Sequence, residues 1–371
     1  MEERKRILKM VEEGKITAEE ALVLLDQLEQ ANREKQKKID EIVMDLSTKV
    51  VYEEAERKEP PSIKWSSLKE KVLGFLDTTV KKLKDFDLDF NFGPFYEIKH
   101  IFQQSSSTLQ TIDVEVANGD VKIIPWDESE VRVECEAKVY KVESEEAARH
   151  SFIRDAIFTI DNGHFRFLIP KQYIKTSVAI YIPEKVYEDG NIRTFNGGID
   201  IKKFKANRVH LKAVNGAITA EKFRGEKVQL ETVNGAIKIK QSTISNLEIE
   251  NINGLIDVSG WYDKVSAQSF SGSITCRLED VNSNTLLAKT VTGNINLFLP
   301  QDVHLEGEFK SNIGGFLYDY PGITIINEKN ETIQKLLRFQ ASVGISKSSH
   351  IYADTKTGSI SLKAIKKFSN S

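Results

Sequence analysis

The sequence predicts a mainly β protein: a single-stranded β-solenoid (β-helix-like) with rungs of about 19 residues, preceded by a small α-helical hairpin and an amphipathic helical segment. Two observations predict this fold. A motif of Asn, Ser or Thr, then Gly, one variable residue and an aliphatic residue recurs along the chain. Apolar residues alternate with polar ones around each glycine, as in strands with one buried face. We divide the chain into a helical hairpin interaction domain (1–31), a charged and amphipathic helical connector (32–104) and a β-solenoid repeat domain (105–365).

The first predicted element is a helical hairpin. An amphipathic helix over residues 2–13 is followed by Gly14, a residue type that commonly ends helices. Thr17 and Glu20 form a capping-box pattern, which predicts a second helix that ends near Gln30. The second helix carries acidic residues and no Lys or Arg, so repulsion from phosphates argues against DNA binding. We interpret the hairpin as an interaction or oligomerisation module.

The connector begins with a charged helix. Residues 32–59 are dense in Glu, Lys and Asp, and they carry a thin apolar stripe of Ile39, Ile42, Val43 and Leu46. This pattern indicates a solvated helix that is able to self-associate through one face.

The next segment, residues 62–84, has the pattern of an interfacial membrane helix, because apolar residues at three- and four-residue spacing lie opposite lysines. The candidate membrane-contact residues are Trp65, Leu68, Lys69, Val72, Phe75, Leu76, Lys81 and Lys82. The alternative is a helix that packs against the downstream domain. Residues 86–92 alternate as a strand with an acidic outer face, which argues against contact with anionic lipid.

The glycine motif marks the corners of the predicted rungs. From Gly197 to Gly293 successive motif glycines are 19, 19, 19, 18 and 21 residues apart. Equal lengths favour a solenoid over a series of type I′ hairpins, because each rung buries its apolar face only by stacking on a neighbour. We expect each glycine to supply a positive-φ corner, and the preceding polar residue to hydrogen-bond its counterpart one rung away. The predicted corner residues are Asn118, Gly119, Asn196, Gly197, Asn215, Gly216, Asn234, Gly235, Asn253, Gly254, Ser271, Gly272, Thr292, Gly293, Thr357 and Gly358.

The array departs from this pattern towards both ends. Residues 143–156 indicate a helical insertion after the first copy, and residues 327–340 indicate another insertion before the last copy. The motif breaks down around residues 312–315. Atypical terminal units are expected, because they must cover the exposed strand edges of the array.

The sequence contains no recognisable catalytic, metal-binding or cofactor-binding motif. Cys135 and Cys276 are far apart and fall at core-facing positions, which favours buried side chains over nucleophiles. No carboxylate pair recurs on adjacent rungs, as a polysaccharide-cleaving enzyme would require. We therefore predict no catalytic residue, no metal site and no cofactor, and a protein that is not an enzyme. Trp126 and Trp261 are interpreted as corner packing, with stacking on a sugar as the alternative.

Charge and hydropathy limit the partners and the compartment. The chain has 52 Lys and Arg against 55 Asp and Glu, a net charge of -3, which argues against a dedicated nucleic-acid binder. Its charged N-terminal residues do not match a signal peptide, and no long apolar stretch predicts a transmembrane helix. We expect a cytoplasmic location, with membrane association and surface exposure as the alternatives.

The opening sequence EERKRILKMVEEGKITAEEALVLLDQL resembles the short N-terminal domain of the YvlB/LiaX-like cell-envelope-stress proteins of Gram-positive bacteria. The Asn-Gly-x-Ile repeats resemble the adhesin-like β-repeat domain of unknown function that follows it in those proteins. The two resemblances cover roughly residues 1–31 and 105–365. They imply a bacterial protein that senses or buffers envelope damage such as that caused by membrane-active antimicrobial peptides. No catalytic residues come with the family.

From the residues and the resemblance together we predict a non-enzymatic scaffold or sensor in the bacterial cell-envelope stress response. It would act through protein–protein or membrane contact. The expected partners are envelope-stress proteins or the membrane surface, with self-association and without nucleic acid. The alternative function is a surface carbohydrate-binding adhesin.

Overall fold

The computed structural model describes residues 2–55, 93–105, 108–280, 285–301, 303–342 and 348–365. The helices in these ranges are α1 (Glu2–Glu12), α2 (Ala18–Ala55) and α3 (Glu145–Asp155). The strands are β1 (Phe95–Ser105), β2 (Thr111–Asn118), β3 (Val121–Trp126), β4 (Glu130–Tyr140), β5 (Ile157–Asp161), β6 (His164–Ile169), β7 (Ile174–Pro183), β8 (Val186–Asn196), β9 (Ile199–Lys202), β10 (Lys205–Asn215), β11 (Ile218–Glu221), β12 (Arg224–Asn234), β13 (Ile237–Asn253), β14 (Ile256–Ser271), β15 (Ile274–Asp280), β16 (Thr285–Thr292), β17 (Ile295–Pro300), β18 (His304–Ser311), β19 (Phe316–Asp319), β20 (Ile323–Asn330), β21 (Lys335–Ala341), β22 (Ser348–Thr355) and β23 (Ile360–Ile365).

Each regular rung consists of a long strand, a glycine corner, a short strand and a second corner. In one rung β10 is the long strand and β11 the short one, and each pairs in parallel with its equivalents in the two neighbouring rungs. The pairing keeps the repeat in register, since Asn215 lies opposite both Asn196 and Asn234. This parallel stacking confirms the predicted β-solenoid.

The interior of the solenoid is filled by columns of aliphatic side chains. One column comes from the residue two positions after each predicted corner glycine, and all of its members are at most 1% exposed. They are Val121, Ile199, Ile218, Ile237, Ile256, Ile274, Ile295 and Ile360. Because a single rung cannot bury these side chains alone, the hydrophobic effect holds the rungs together as one body.

The rungs at the two ends do not follow the order of the sequence. The rung of β2 and β3 lies between β8–β9 on one side and β6–β7 on the other. Similarly, the rung of β22 and β23 lies between β16–β17 and β18–β19. Antiparallel strands then cover the outer edges, with β4 on β7, β5 on β6 and β21 on β18. The predicted insertion at 327–340 therefore belongs to the hairpin of β20 and β21, which covers one end of the array.

The helices agree in part with the prediction. The capping box is present, with the Thr17 amide 2.8 Å from the Glu20 carboxylate and the Glu20 amide 3.1 Å from the Thr17 hydroxyl. The helical insertion within residues 143–156 is confirmed as α3. However, α2 does not end near Gln30 but continues to Ala55, because no Gly or Pro interrupts it and its apolar stripe continues.

The predicted domain limits can be placed on these elements. The limit between residues 31 and 32 falls inside α2, and that between 104 and 105 falls inside β1. The amphipathic segment at 62–84 and the strand predicted at 86–92 lie outside the described residues. Within the described ranges, no helix is long and apolar enough to cross a bilayer.

Candidate functional site

The asparagines before five of the corner glycines form a continuous hydrogen-bonded ladder. Each Nδ2 donates to the Oδ1 of the neighbouring rung. The pairs are Asn196 to Asn118 at 2.7 Å, Asn215 to Asn196 at 2.9 Å, Asn234 to Asn215 at 2.9 Å and Asn253 to Asn234 at 2.8 Å. In the next two rungs, the hydroxyls of Ser271 and Thr292 lie 3.0 Å apart. These contacts confirm the predicted bonding between corner residues of adjacent rungs.

The corner glycines form a second column, in which the rungs approach too closely for any side chain. A Cβ on any of these glycines would lie 1.6 to 2.3 Å from a backbone oxygen of the neighbouring rung. They are Gly119, Gly197, Gly216, Gly235, Gly254, Gly272, Gly293, Gly314 and Gly358. Gly314 belongs to this column although its sequence motif is scrambled.

The predicted positive φ explains only some of these glycines. The angle is positive at Gly119, Gly197, Gly254, Gly272 and Gly293. The other four, Gly216, Gly235, Gly314 and Gly358, lie outside that region. The prediction of a positive-φ corner is therefore wrong for Gly216, Gly235 and Gly358, and close contact between rungs is the requirement that all nine glycines share.

A column of buried polar side chains, which the sequence analysis missed, lies three residues before the glycines. The Thr232 hydroxyl donates to the Gly216 carbonyl at 3.0 Å, and the Thr355 hydroxyl donates to the Gly293 carbonyl at 2.9 Å. Equivalent bonds between rungs come from Asn251, Thr290 and Ser311, whereas the Thr194 hydroxyl donates to the Gly197 carbonyl of its own rung. The sequence does carry a signal for this column, because a polar residue recurs three positions before the glycine, inside an otherwise apolar strand.

An apolar column on the outside of the solenoid carries α2. It consists of the residue two positions before the glycine in successive rungs, namely Phe195, Val214, Val233, Ile252, Phe270 and Val291. From α2, Ile39, Ile42 and Val43 pack against this column, and Ile42 and Val43 are buried. In this structure the solenoid therefore covers three of the four residues of the stripe that was predicted to self-associate.

The hairpin of α1 and α2 packs further along the same corner. Its small core contains Ile7, Leu24 and Leu28, and it contacts Val291 and Ile313 of the solenoid. Because this contact and the one made by Ile42 lie on one continuous helix, α2 runs along the stack across several rungs.

Polar contacts fix the register of α2 on the corner. The Lys35 ammonium donates to the Oδ1 of Asn253 at 2.8 Å, and Lys38 forms an ion pair with Glu250. Burial lowers the pKa of Lys35. The corner face that α2 covers thus combines an apolar column with amide and carboxylate acceptors, which suits an amphipathic helix that carries lysines.

The structure shows the surroundings of the cysteines and tryptophans that the sequence analysis interpreted. Cys135 and Cys276 are buried, and burial raises the pKa of each thiol to about 12, which confirms their interpretation as core residues. The Trp126 indole donates to the Glu130 carbonyl at 2.9 Å, so it packs a turn. Trp261 remains 41% exposed.

The other predicted site residues separate into two groups. The candidate membrane-contact residues, from Trp65 to Lys82, all lie outside the described part of the chain. The predicted corner glycines all lie in the column described above. Across the described ranges, no group of three or more His, Cys, Asp or Glu side chains is placed to hold a metal ion.

Comparison with known proteins identifies similar families and relatives. The model of the Toastrack DUF4097 family matches residues 109–363, and that of a SHOCT-like domain matches residues 2–33. The uncharacterized protein YvlB of Bacillus subtilis (strain 168) is 42% identical over 362 residues, which cover 98% of each chain.

Solved structures also resemble the chain. A candidate adhesin from Bacteroides fragilis NCTC 9343 is 12% identical with a TM-score of 0.42, over 73% of this chain and 97% of that one. A candidate lipid-binding protein from Parabacteroides distasonis ATCC 8503 is 14% identical with a TM-score of 0.41, over 71% of this chain and 96% of that one.

Proposed function

This chain belongs to the Toastrack DUF4097 family, and from that premise we propose that it is a non-enzymatic scaffold or sensor in the bacterial cell-envelope stress response, acting through protein–protein or membrane contact. One observation carries the proposal: the helical hairpin buries one apolar face and leaves other large apolar side chains exposed. One face is buried on the solenoid corner, while Leu8, Leu22 and Val23 on the hairpin are 53%, 61% and 45% exposed.

Such an arrangement suits a scaffold better than an enzyme. The solenoid is a rigid body, because its corners are held by ladders of hydrogen bonds and its core by stacked aliphatic columns. Exposed apolar side chains on a helix are typical of protein–protein contact surfaces. Burial raises the pKa of both thiols, which makes them poor nucleophiles and fits this role.

The protein-contact version is tested in cells challenged with a membrane-active peptide. We expect deletion of the gene to change the stress response, and Leu22→Asp with Val23→Asp to reproduce the deletion while the protein accumulates normally. The control replaces Leu24, a buried residue of the same helix, with Met, and it should behave as wild type. A wild-type response from the Leu22 and Val23 variant would overturn this version.

The membrane-contact version depends on the segment at residues 62–84. Its test is sedimentation of the full chain with anionic phospholipid vesicles, in which Trp65→Ser with Phe75→Ser should weaken binding, because both aromatic rings would insert at the interface. Unchanged binding of that variant would remove this segment from the proposal. We propose a cytoplasmic location with membrane association, and protease treatment of intact cells should then leave the protein uncut.

A surface carbohydrate-binding adhesin is the second candidate, and the exposure of Trp261 favours it. An exposed tryptophan ring offers a large apolar surface together with a polar N–H group, which suits stacking on a sugar. A peptidoglycan or glycan pull-down that loses signal on Trp261→Ala, but not on Trp126→Phe, would support the adhesin. Cleavage of the protein when intact cells are treated with protease would also favour the adhesin.

A further inference from the structure

The second corner of the solenoid, between each short strand and the next long strand, holds lysines in an unusual backbone conformation. Lys203 and Lys222 have φ angles of 54° and 53°, and Gln241 in the next rung has 50°. The Lys203 amide bonds to the Glu221 carbonyl at 2.9 Å, and the Lys222 amide bonds to the Lys240 carbonyl at 3.0 Å. The two lysines therefore occupy equivalent places in adjacent rungs, about 4.8 Å apart along the stack.

A lysine gains nothing from this left-handed conformation. For residues with a Cβ the left-handed region is sterically costly, and glycine or asparagine adopt it with less strain. Strained backbone that the surrounding structure maintains often marks a position where the side chain is used. Because Gln241 has the same angle, the corner imposes this conformation on each rung, and it places the two lysine side chains at equivalent points of adjacent rungs.

The interior of the corner directs these lysines outwards. Phe204 and Phe223, which follow them in sequence, are buried with ring centroids 5.8 Å apart, and Tyr187 stacks on Phe204 at 5.4 Å. This aromatic stack anchors the backbone of the corner, while Lys203 and Lys222 are exposed. The corner is a convex edge at the far end of the short strands from the glycine column and from α2.

The charges at this edge are unbalanced. We define the basic ridge as Lys203, Lys222, Arg224 and Lys240, which are all exposed and form no ion pair among the described residues.

Neighbouring cations engage the nearby carboxylates. Lys202 lies 3.9 Å from Glu221, and Lys205 lies 2.9 Å from Glu184. Arg208 forms an ion pair of 2.6 Å with Asp189, and Glu188 and Glu226 also act on this arginine. Glu184, which pairs with Lys205, also lies within the electrostatic reach of Lys203, so the four cations of the ridge outnumber the carboxylates that act on them.

We propose that the basic ridge binds an anionic phospholipid surface. A row of cations along a convex edge reaches many phosphates on a plane, whereas a single enclosed anion would need a concave site. The inference rests on the membrane-contact version of the proposed function and extends it, because the ridge belongs to the solenoid and is separate in sequence from residues 62–84.

The test measures binding of the full chain to phosphatidylcholine vesicles with and without phosphatidylglycerol. The variant Lys203→Gly with Lys222→Gly should bind the anionic vesicles about 25-fold more weakly, at about fivefold per lysine. Its melting temperature should be unchanged or higher, because glycine relieves the left-handed strain. This readout separates loss of binding from loss of folding.

Charge-matched controls make the result specific. Lys264→Gln with Lys329→Gln removes two exposed lysines elsewhere on the solenoid and should leave vesicle affinity unchanged. Lys203→Arg with Lys222→Arg keeps the charge and should retain binding. Raising the salt concentration should weaken wild-type binding more steeply than binding of the glycine variant.

Each other outcome has a defined meaning. If the glycine variant binds anionic vesicles as wild type does, the ridge assignment is wrong, whereas membrane contact through residues 62–84 stands. If the wild-type chain binds no anionic vesicle, the ridge assignment and the membrane-contact version both fail, and the protein-contact version is judged by its own test. If the glycine variant loses binding only to inorganic polyphosphate, the ridge binds soluble anions and the lipid assignment is overturned.

Discussion

Lys35 of α2 donates a 2.8 Å hydrogen bond to the Oδ1 of Asn253, the fifth asparagine of the corner ladder. Asn253 uses its Nδ2 to donate to Asn234, so the lysine supplies the donor that its oxygen needs. The contact links the helical hairpin to the repeat, and it makes the position of α2 depend on a polar group of the solenoid.

Lys35→Ala should loosen α2 without unfolding the solenoid. The loss of one side-chain hydrogen bond predicts that docking of the helix weakens by about 1 kcal/mol. Hydrogen exchange should show faster exchange of the α2 amides and unchanged protection of β12 and β13. Lys37→Ala, an exposed lysine on the same helix, serves as control. Equal exchange in the two variants would contradict the role of the Lys35 contact.

Gly314→Ala should be strongly destabilising, whereas Gly315→Ala should be close to neutral. A Cβ on Gly314 would lie 1.7 Å from the Gly358 carbonyl oxygen, while a Cβ on Gly315 meets no atom within 4 Å. We expect the first change to lower the free energy of unfolding by more than about 3 kcal/mol. Urea unfolding of both variants measures this difference, and equal midpoints would contradict the close packing of the corners.

Asn215→Ala should interrupt the asparagine ladder at its centre. The change leaves the Asn196 oxygen without its donor and the Asn234 amide without its acceptor, which should cost about 1–3 kcal/mol. Asn207→Ala, at an exposed position of the same strand, is the control and should change stability by less than about 0.5 kcal/mol. Thermal and urea unfolding compare the two, and a loss no larger than the control's would argue against the ladder as a stabilising element.

Asp155 should make stability depend on pH in the acid range. Burial alone raises the pKa of this carboxyl, but hydrogen bonds from Arg154 and Tyr173 outweigh burial and hold the pKa below its usual value. Because the pKa is lower in the folded state, the carboxylate stabilises the fold above about pH 4, and this contribution is lost as the pH falls through the folded pKa.

The corresponding measurement is urea unfolding over a range of pH. Asp155→Asn should lower stability at neutral pH by about 1–3 kcal/mol and flatten the acid dependence. Asp161→Asn, which replaces an exposed aspartate on β5, should keep the wild-type profile. A wild-type slope in the Asp155 variant would assign the acid sensitivity to other groups.

The two thiols should resist modification while the protein is folded. Burial raises the pKa of Cys135 and of Cys276 to about 12, so very little thiolate forms at about pH 8. A thiol-specific reagent should label neither cysteine in native protein and both in urea, as counted by mass spectrometry. Rapid labelling of native protein would contradict the burial of these side chains.

Much of the solenoid could be predicted because its requirements are local and repeated. The spacing from Gly197 to Gly293 fixes the rung length, and the alternation around each glycine fixes the buried face. The order of the terminal rungs could not be predicted in this way. The motif at Gly358 resembles those at Gly293 and Gly272. Its local pattern therefore does not predict that β22 and β23 lie between two earlier rungs.

The candidate site was less predictable for related reasons. A stripe such as Ile39, Ile42 and Val43 packs equally well on a second copy of the helix or on a distant strand, so only the three-dimensional structure selects the solenoid corner. The lysines at 203 and 222 gave no sequence signal, because a left-handed corner normally favours glycine or asparagine. Periodic features were therefore visible in the sequence, while contacts between distant segments were not.

The position of β22 and β23 between earlier rungs has a consequence for synthesis on the ribosome. Until residues 348–365 have emerged, the strands β18 and β19 have no parallel neighbour through which to join β16 and β17. The array therefore cannot grow by adding each rung as it is made. A ribosome-bound chain that stops after residue 342 should leave β18–β21 sensitive to protease, and release of a longer chain should protect them in one cooperative step.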